Sequence, residues 1–308
     1  MFSEEEAEMY SKVLIPLDGS NTAEKVLPYA RYLARKLKLP VELLVVIDIA
    51  EMATHTTAEK ARYLDTLVED GVRASTSYLR GIATTFMGGD VTWTVETGRA
   101  EELIVERGGA DGNALIAMAT HGRSGLNRFL LGSVAEKVLR STTNPLLLIR
   151  ATGDAKATGE ATLRSIVVPL DGSALAEGVL PTVASMAKEL DLQVVLFRAY
   201  HLPYNTYGAD DTYMTNYEEM IAAVREDANA YLERKVLDVK RLGVAKVSTL
   251  GKEGFAGDEI ITLGRKTPDN LIAMCSHGRT GVRRFVLGSV TETVVRHSGD
   301  PVLVLRAR

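Results

Sequence analysis

The segment ATHGRSGLNRFLLGSVAEKVLRSTTNPLLLIRA, Ala119 to Ala151, returns as CSHGRTGVRRFVLGSVTETVVRHSGDPVLVLRA, Cys275 to Ala307, without a gap and with about half its positions unchanged. Upstream, KVLIPLDGSNTAEKVLP from Lys12 to Pro28 returns as SIVVPLDGSALAEGVLP from Ser165 to Pro181. A chain that repeats itself over such lengths folds as two similar domains rather than one large core. Between the copies, TGDAKATGEAT is small, polar and without apolar period, the composition of a linker. The expected division is a first domain over 1–151, a linker over 152–162 and a second domain over 163–308, and 308 residues suffice for two cores.

Within each half, short runs of Val, Leu and Ile alternate with longer stretches of helical period. Strands are expected at Lys12 to Leu17, Val41 to Ile47, Val91 to Glu96, Ala114 to Ala119 and Leu146 to Ile149. In the second half they fall at Ser165 to Leu170, Gln193 to Ala199, Lys246 to Leu250, Asn270 to Cys275 and Val302 to Leu305. Nearly continuous apolar strands separated by helices specify a parallel sheet covered on both faces, joined by right-handed crossovers. The fold class is therefore α/β, as two tandem doubly wound domains. Such folds hold ligands beyond the carboxyl ends of their strands, where the strand order reverses.

Those ends carry the unusual residues. After strand one stand Pro16, Leu17, Asp18, Gly19 and Ser20, and in the copy Pro169, Leu170, Asp171, Gly172 and Ser173. An acid at this point can hold a ligand hydroxyl or amine, and Asp-Gly-Ser is equally the chemistry of a turn and a helix cap. After strand four comes a glycine-punctuated loop with His121, Gly122, Arg123, Gly125, Arg128 and Gly132, repeated as His277, Gly278, Arg279, Gly281, Arg283 and Gly288. Ser133 with Glu136, and Ser289 with Glu292, have the spacing of a capping box. Free amides, a helix dipole and arginines at one point favour an anion, typically phosphate, whereas a capped helix after a long turn is the purely structural alternative.

Other chemistries fit less well. No Gly-Lys-Ser/Thr follows at Walker spacing, and Pro-Leu-Asp-Gly-Ser is not a dinucleotide fingerprint. Ser133 and Ser289 have no assignable histidine and carboxylate partners, and His121 and His277 are better suited to ordering the loop than to binding metal. Cys275 is the only cysteine, so no internal disulfide forms, and its default role is a small buried residue. A net charge of −4 disfavours a dedicated nucleic-acid binder. Hydrophobic content of 46% and charged content of 25%, without a membrane-length apolar run, are those of a globular, non-membrane protein. The opening MFSEEEAEMY is acidic and lacks a secretory pattern, so a cytoplasmic location is expected.

These residues together resemble the universal stress proteins in their tandem two-domain form. The resemblance covers nearly the whole chain and rests on VLIPLDGS and IVVPLDGS, on Gly-x9-Gly-Ser in both halves, and on NPLLLIR and DPVLVLR closing each domain. It implies five parallel strands in the order 3-2-1-4-5 with an adenine nucleotide, ATP or alternatively AMP or cyclic AMP, at the carboxyl edge, with Mg²⁺ as a companion ion. It assigns Asp18 and Asp171 to the adenosine, and Val46 and Ala199 to adenine through their backbone. The phosphates fall to Gly122, Gly132, Ser133 and Val134, and to Gly278, Gly288, Ser289 and Val290. The motif of the ATP-binding members begins with a glycine that is Ala119 in one half and Cys275 in the other. The resemblance further implies a stress-response sensor or regulator with at most slow ATP hydrolysis. It also implies antiparallel pairing of the last strands of two domains, which in a tandem chain can be internal or can join two copies as a homodimer, and a regulatory protein partner. Loss of the motif glycine supports the alternative of an interaction scaffold that no longer binds nucleotide. A pyrophosphatase-type enzyme of related architecture requires a Ser-Gly-Gly loop after strand one, which this chain lacks. The tyrosine-rich stretch Ala199 to Tyr217 is suited to covering a base or to packing on its own helix.

Overall fold

A computed structural model of the chain describes residues 9–49, 64–110, 112–120, 131–150, 159–202, 214–276 and 287–306. The chain divides into two compact units, Met1–Thr162 and Leu163–Arg308. In the first, β1 (Val13–Leu17) leads through a 3-10 turn, Ala23–Val26, into α1 (Leu27–Leu37). Then follow β2 (Val41–Ile47), α2 (Leu64–Ala83), β3 (Val91–Thr97), α3 (Ala100–Ala110), β4 (Leu115–Ala119), α4 (Ser133–Ser141) and β5 (Leu146–Ile149). The second unit repeats the plan with β6 (Ser165–Pro169), α5 (Ala174–Glu177), α6 (Leu180–Leu190), β7 (Gln193–Tyr200) and α7 (Met214–Arg241). It closes with β8 (Val247–Glu253), α8 (Ala256–Lys266), β9 (Asn270–Cys275), α9 (Ser289–His297) and β10 (Val302–Leu305).

Within the first unit the strand order is β3-β2-β1-β4-β5, and within the second β8-β7-β6-β9-β10, which is 3-2-1-4-5 in each. All these neighbours pair parallel. Order reverses between β1 and β4 and between β6 and β9, so the expected crevice falls beside β1 and β6. The central strands β4 and β9 are buried at every position, which explains their apolar sequences, unbroken in β4 and interrupted in β9 only by Asn270 at its start. The edge strand β3 alternates apolar with polar residues, and the edge strand β8 is mostly polar. β8 runs to Glu253, beyond the expected Leu250, because Lys252 and Glu253 pair with Ala199 and Tyr200 although neither is apolar. Leu170, expected in strand six, lies just past it and still donates its N–H to Phe197 O at 2.8 Å. Among the described residues no helix is long and apolar enough to cross a membrane.

The motifs before the last strands are joints. Asn144, preceding Pro145, donates from Nδ2 to Gly108 O at 2.8 Å and Ala114 O at 3.1 Å, tying α3 to the start of β4. In the copy Asp300 stands where Asn144 does and can only accept. The donor there is Asn270, whose Nδ2 reaches Asp300 Oδ1 and Gly264 O, each at 3.0 Å, and Thr267 O at 2.6 Å. Of the expected linker, residues 152–158 lie outside the described residues. Its end is fastened to α1: Arg31 Nη1 donates to Gly159 O at 2.6 Å, Arg35 makes a two-oxygen contact with Glu160, and Ala161 N donates to Pro28 O at 3.0 Å.

The first joint is tight where α3 crosses it. A Cβ at Gly108 would stand 2.8 Å from Ile116 Cδ1 and 3.3 Å from Asn144 Oδ1, whereas one at Gly109 meets nothing within 4 Å. Urea unfolding is therefore expected to show Gly108→Ala losing about 1–3 kcal/mol by overpacking. Gly109→Ala, one residue on, should gain about 0.4–1 kcal/mol through the unfolded chain. Equal effects of the two substitutions would refute the joint as drawn.

Candidate functional site

Both Asp-Gly-Ser sequences fold as the same turn. Asp18 Oδ1 accepts from Ser20 N at 2.9 Å and Ser20 Oγ at 2.6 Å, and Ser20 Oγ accepts from Ala23 N at 3.1 Å. Asp171 Oδ1 accepts from Ser173 N at 2.9 Å, and Ser173, the N-cap of α5, accepts from Ala176 N at 3.1 Å. Gly19 and Gly172 have φ of 78° and 85°, the left-handed region where a side chain is strained. Each turn places its aspartate at the carboxyl edge, beside the reversal of strand order.

A brace that the sequence reading missed holds each turn from behind. Tyr78 on α2 donates to Glu24 Oε1 at 3.0 Å, and Tyr231 on α7 donates to Glu177 Oε1 at 2.8 Å. Lys235 Nζ joins Glu177 at 2.9 Å, and the Arg198 guanidinium lies 4.6 Å from the Tyr231 ring centroid. Burial, followed by the bond to the Glu177 carboxylate, drives the Tyr231 phenol well above the ordinary tyrosine range. The available signal was the duplication itself, because Tyr78 follows Asp18 and Tyr231 follows Asp171 by the same interval.

The expected capping box is not formed. Gly132 and Gly288, extended at φ −61°, ψ 148° and φ −63°, ψ 140°, are the N-caps, and no side chain caps either helix. Ser133 and Ser289 are therefore the first helical residues. Glu136 and Glu292 turn along their helices instead, to Arg140 at 3.0 Å and Arg296 at 2.9 Å. A serine cap would have satisfied first-turn amides. A glycine cap leaves the N–H groups of the first turn without an intrahelical acceptor, at the positive end of the helix dipole.

These helix starts are anchored to the sheet. Gly132 N donates to Thr120 O and Gly288 N to Ser276 O, both at 2.8 Å, so each N-cap hangs on the residue following the fourth strand. In the second unit Thr291 Oγ1 also donates to Cys275 O at 2.9 Å. Nearby, Arg306 follows β10 and lies 3.4 Å from Ser276 Oγ, with its pKa drawn down by desolvation. A half-buried cation at this edge favours an anionic neighbour.

A cavity of about 230 Å³ opens in the second unit at this point. Pro169, Leu170 and Asp171 line it from the end of β6, Ala199 from β7, Cys275 from β9, and Gly288, Ser289 and Val290 from the start of α9. Gly172 and Ser173 build the turn without lining it. The apolar remainder of the wall, which the sequence reading did not assign, comes from Ala176, Phe197, Ala256, Ile260 and Met274. Phe197 and Ala199 lie two apart on one face of β7, and Ala256 and Ile260 four apart on one face of α8.

In the first unit Pro16, Leu17, Asp18, Gly19 and Ser20 occupy the end of β1 and its turn, Val46 the penultimate position of β2, and Ala119 the end of β4. Gly132, Ser133 and Val134 begin α4. Val46 and Ala199 correspond, since each lies two residues past the partner of the strand-one proline, Leu44 for Pro16 and Phe197 for Pro169. His121, Gly122, Arg123, Gly125 and Arg128 lie outside the described residues, as do His277, Gly278, Arg279, Gly281 and Arg283. Of the tyrosine-rich stretch, Tyr200 and Tyr217 pack with Leu202, Ile221 and Ala228, and residues 203–213 lie outside the described residues. Among the described residues no group of three or more His, Cys, Asp or Glu side chains is placed to hold a metal ion.

The family model described as the universal stress protein family matches residues 9–150 and again 162–306. A universal stress protein of Methanocaldococcus jannaschii is 29% identical over 149 residues, covering 48% of this chain and 85% of its own. The fold matches a universal stress protein of Archaeoglobus fulgidus at TM-score 0.68 and 19% identity, covering 97% of this chain and 99% of that one. A putative universal stress protein of Pseudomonas aeruginosa matches at TM-score 0.61 and 16% identity, covering 97% and 94%.

Cys275 is a reporter of the cavity, being the only thiol in the chain, buried and part of the wall. Its reaction with a small methylthiosulfonate, followed by mass, is expected to be slow in the native protein and fast in urea. Any ligand filling the cavity should slow it further. Rapid native labelling would contradict the burial described.

Proposed function

The chain belongs to the universal stress protein family in both halves, and from that premise we propose that it binds an adenine nucleotide and acts as a sensor or regulator. Occupancy of the site sets its conformation or its partners, and any ATP hydrolysis is slow. The observation that carries this reading is the second-unit cavity. Eight residues assigned to nucleotide from the sequence, drawn from β6, β7, β9 and α9, line one hollow at the carboxyl edge. Its chemistry supports the same ligand. At about 230 Å³ it is somewhat below the roughly 300–1,000 Å³ of whole-ligand sites, so it suits the apolar base and sugar. The open start of α9 is the place for phosphates, whose accompanying Mg²⁺ would take its oxygens from the nucleotide and water. Asp171 would accept from the sugar hydroxyls. The first unit repeats the turn and the glycine-capped helix with Asp18, Gly132, Ser133 and Val134.

Calorimetry of the intact chain with Mg-ATP, AMP and cyclic AMP, beside Gly132→Asp and Gly288→Asp, tests this. Aspartate is a favoured N-cap residue and is unstrained at the torsions found, so both variants should fold. Each carboxylate, however, stands where phosphate would sit. ATP should bind the intact chain, and Gly288→Asp should weaken the second-unit site at least ten-fold, with the stoichiometry showing whether the first unit also binds. Absence of binding to all three nucleotides would overturn the proposal and leave the duplicated domains as an interaction scaffold.

A further inference from the structure

The two halves share their main-chain devices and differ at the rim of the crevice. In each, a glycine follows the third strand and donates its N–H to the end of the second: Gly98 to Ile47 O at 3.0 Å, and Gly254 to Tyr200 O at 2.9 Å. The residue after that carbonyl and the residue after that glycine therefore flank the same joint. In the first unit they are Asp48 and Arg99, and in the second His201 and Phe255.

The second pair is aromatic and in contact. The rings of His201 and Phe255 lie 5.3 Å apart between centroids, tilted by 46°. Phe255 is the N-cap of α8 and immediately precedes Ala256, a wall residue of the cavity. His201 is the first residue past β7, two beyond the wall residue Ala199. Phe255 is nonetheless 62% exposed, a large apolar ring held toward water beside a partly apolar hollow. The first unit places a carboxylate and a guanidinium at these positions, and Arg99 pairs with Glu102 at 3.2 Å.

We infer that the two halves are unequal sites: the second unit reads a flat heteroaromatic ring with Phe255 and His201, and the first unit lacks this ring-reading element. The inference rests on the nucleotide reading above and assigns the base-recognising surface within it. A planar ring seated in the cavity with one edge at its mouth stacks there on the exposed Phe255 face and removes both apolar surfaces from water. An Asp and Arg pair provides polar and charged contacts and no apolar aromatic face, and the Arg99 guanidinium, a plane that could otherwise stack on a ring, is engaged by Glu102.

The test uses the full chain. Mg-ATP and inorganic tripolyphosphate are titrated by calorimetry into the wild type, the double variant His201→Ala with Phe255→Ala, Phe255→Trp, and Phe255→Arg. Both residues are exposed, so thermal unfolding should stay unchanged. ATP affinity at the second-unit site should fall about ten-fold or more in the double variant and in Phe255→Arg, the usual size of one base stacking on an aromatic side chain. Phe255→Trp should retain it, while tripolyphosphate should bind wild type, the double variant and Phe255→Trp alike and Phe255→Arg at least as tightly. If ATP affinity is the same in all four while Gly288→Asp still weakens the second-unit site at least ten-fold, the ring-reading assignment fails and the nucleotide site stands. An equal loss of ATP and tripolyphosphate, or a Phe255→Trp variant as weak as Phe255→Arg, also overturns it. If wild type does not bind ATP, or Gly288→Asp binds like wild type, the nucleotide reading fails and this inference with it.

Discussion

One main-chain hydrogen bond in each half sets the geometry on which the candidate site depends. The N-cap glycine of α4 or α9 donates to the carbonyl of the residue after β4 or β9, at 2.8 Å in both. That residue is itself fixed, since Thr120 N donates to Ile149 O and Ser276 N to Leu305 O, both at 2.9 Å. The helix start is thus tied to strands four and five of its sheet, which are among the most buried elements of the unit. Because the bond uses only backbone atoms, side chains around it can change without moving the helix dipole. Its positive end stays directed at the carboxyl edge, where the strand order reverses.

The opposite edge shows what happens when a joint is built from side chains. The amide of Asn144 serves two carbonyls by itself, one of them that of Ala114 just before the neighbouring strand, whose side chain takes no part. Once the corresponding residue is Asp300, its carboxylate can only accept, and a donor has to be supplied from another strand. Asn270 does so, while Ser298 Oγ lies 3.2 Å from the second carboxylate oxygen. These donors satisfy a half-buried carboxylate that the asparagine of the first half does not present. The two halves therefore diverge by compensated pairs at this edge.

The parallel sheet and the division into halves were legible because each rests on a repeated signal, whereas the strand order came from the family resemblance. Apolar runs located all ten strands, and duplication supplied the domains. What escaped notice has no periodic signature. The spacing of Ser133 and Glu136 is the same whether serine is the cap or the first helical residue, and only the extended torsions of Gly132 decide between them. Lys252 and Glu253 belong to a strand by pairing rather than by composition. The walls Phe197 and Ile260 look like ordinary core until β7 and α8 are set side by side, and the brace from Tyr231 to Glu177 joins residues far apart in sequence. The loop glycines and arginines between Thr120 and Leu131, and between Ser276 and Leu287, fall outside the described residues.

The division between backbone and side-chain devices bears on how a duplicated domain can acquire two behaviours. An anion at a helix start is held mainly by amides, which every residue except proline supplies, so drift in sequence leaves that capacity in place. Recognition of the remainder of a ligand depends on single side chains at the crevice rim, where replacing Asp48 and Arg99 by His201 and Phe255 exchanges charge for aromatic surface without disturbing the glycine joint between them. A ligand shifts a protein between states only by its difference in affinity for them. Under the proposed nucleotide reading, two sites with one anion-binding device and different rims would respond to a given ligand with unequal strength, as two identical copies would not.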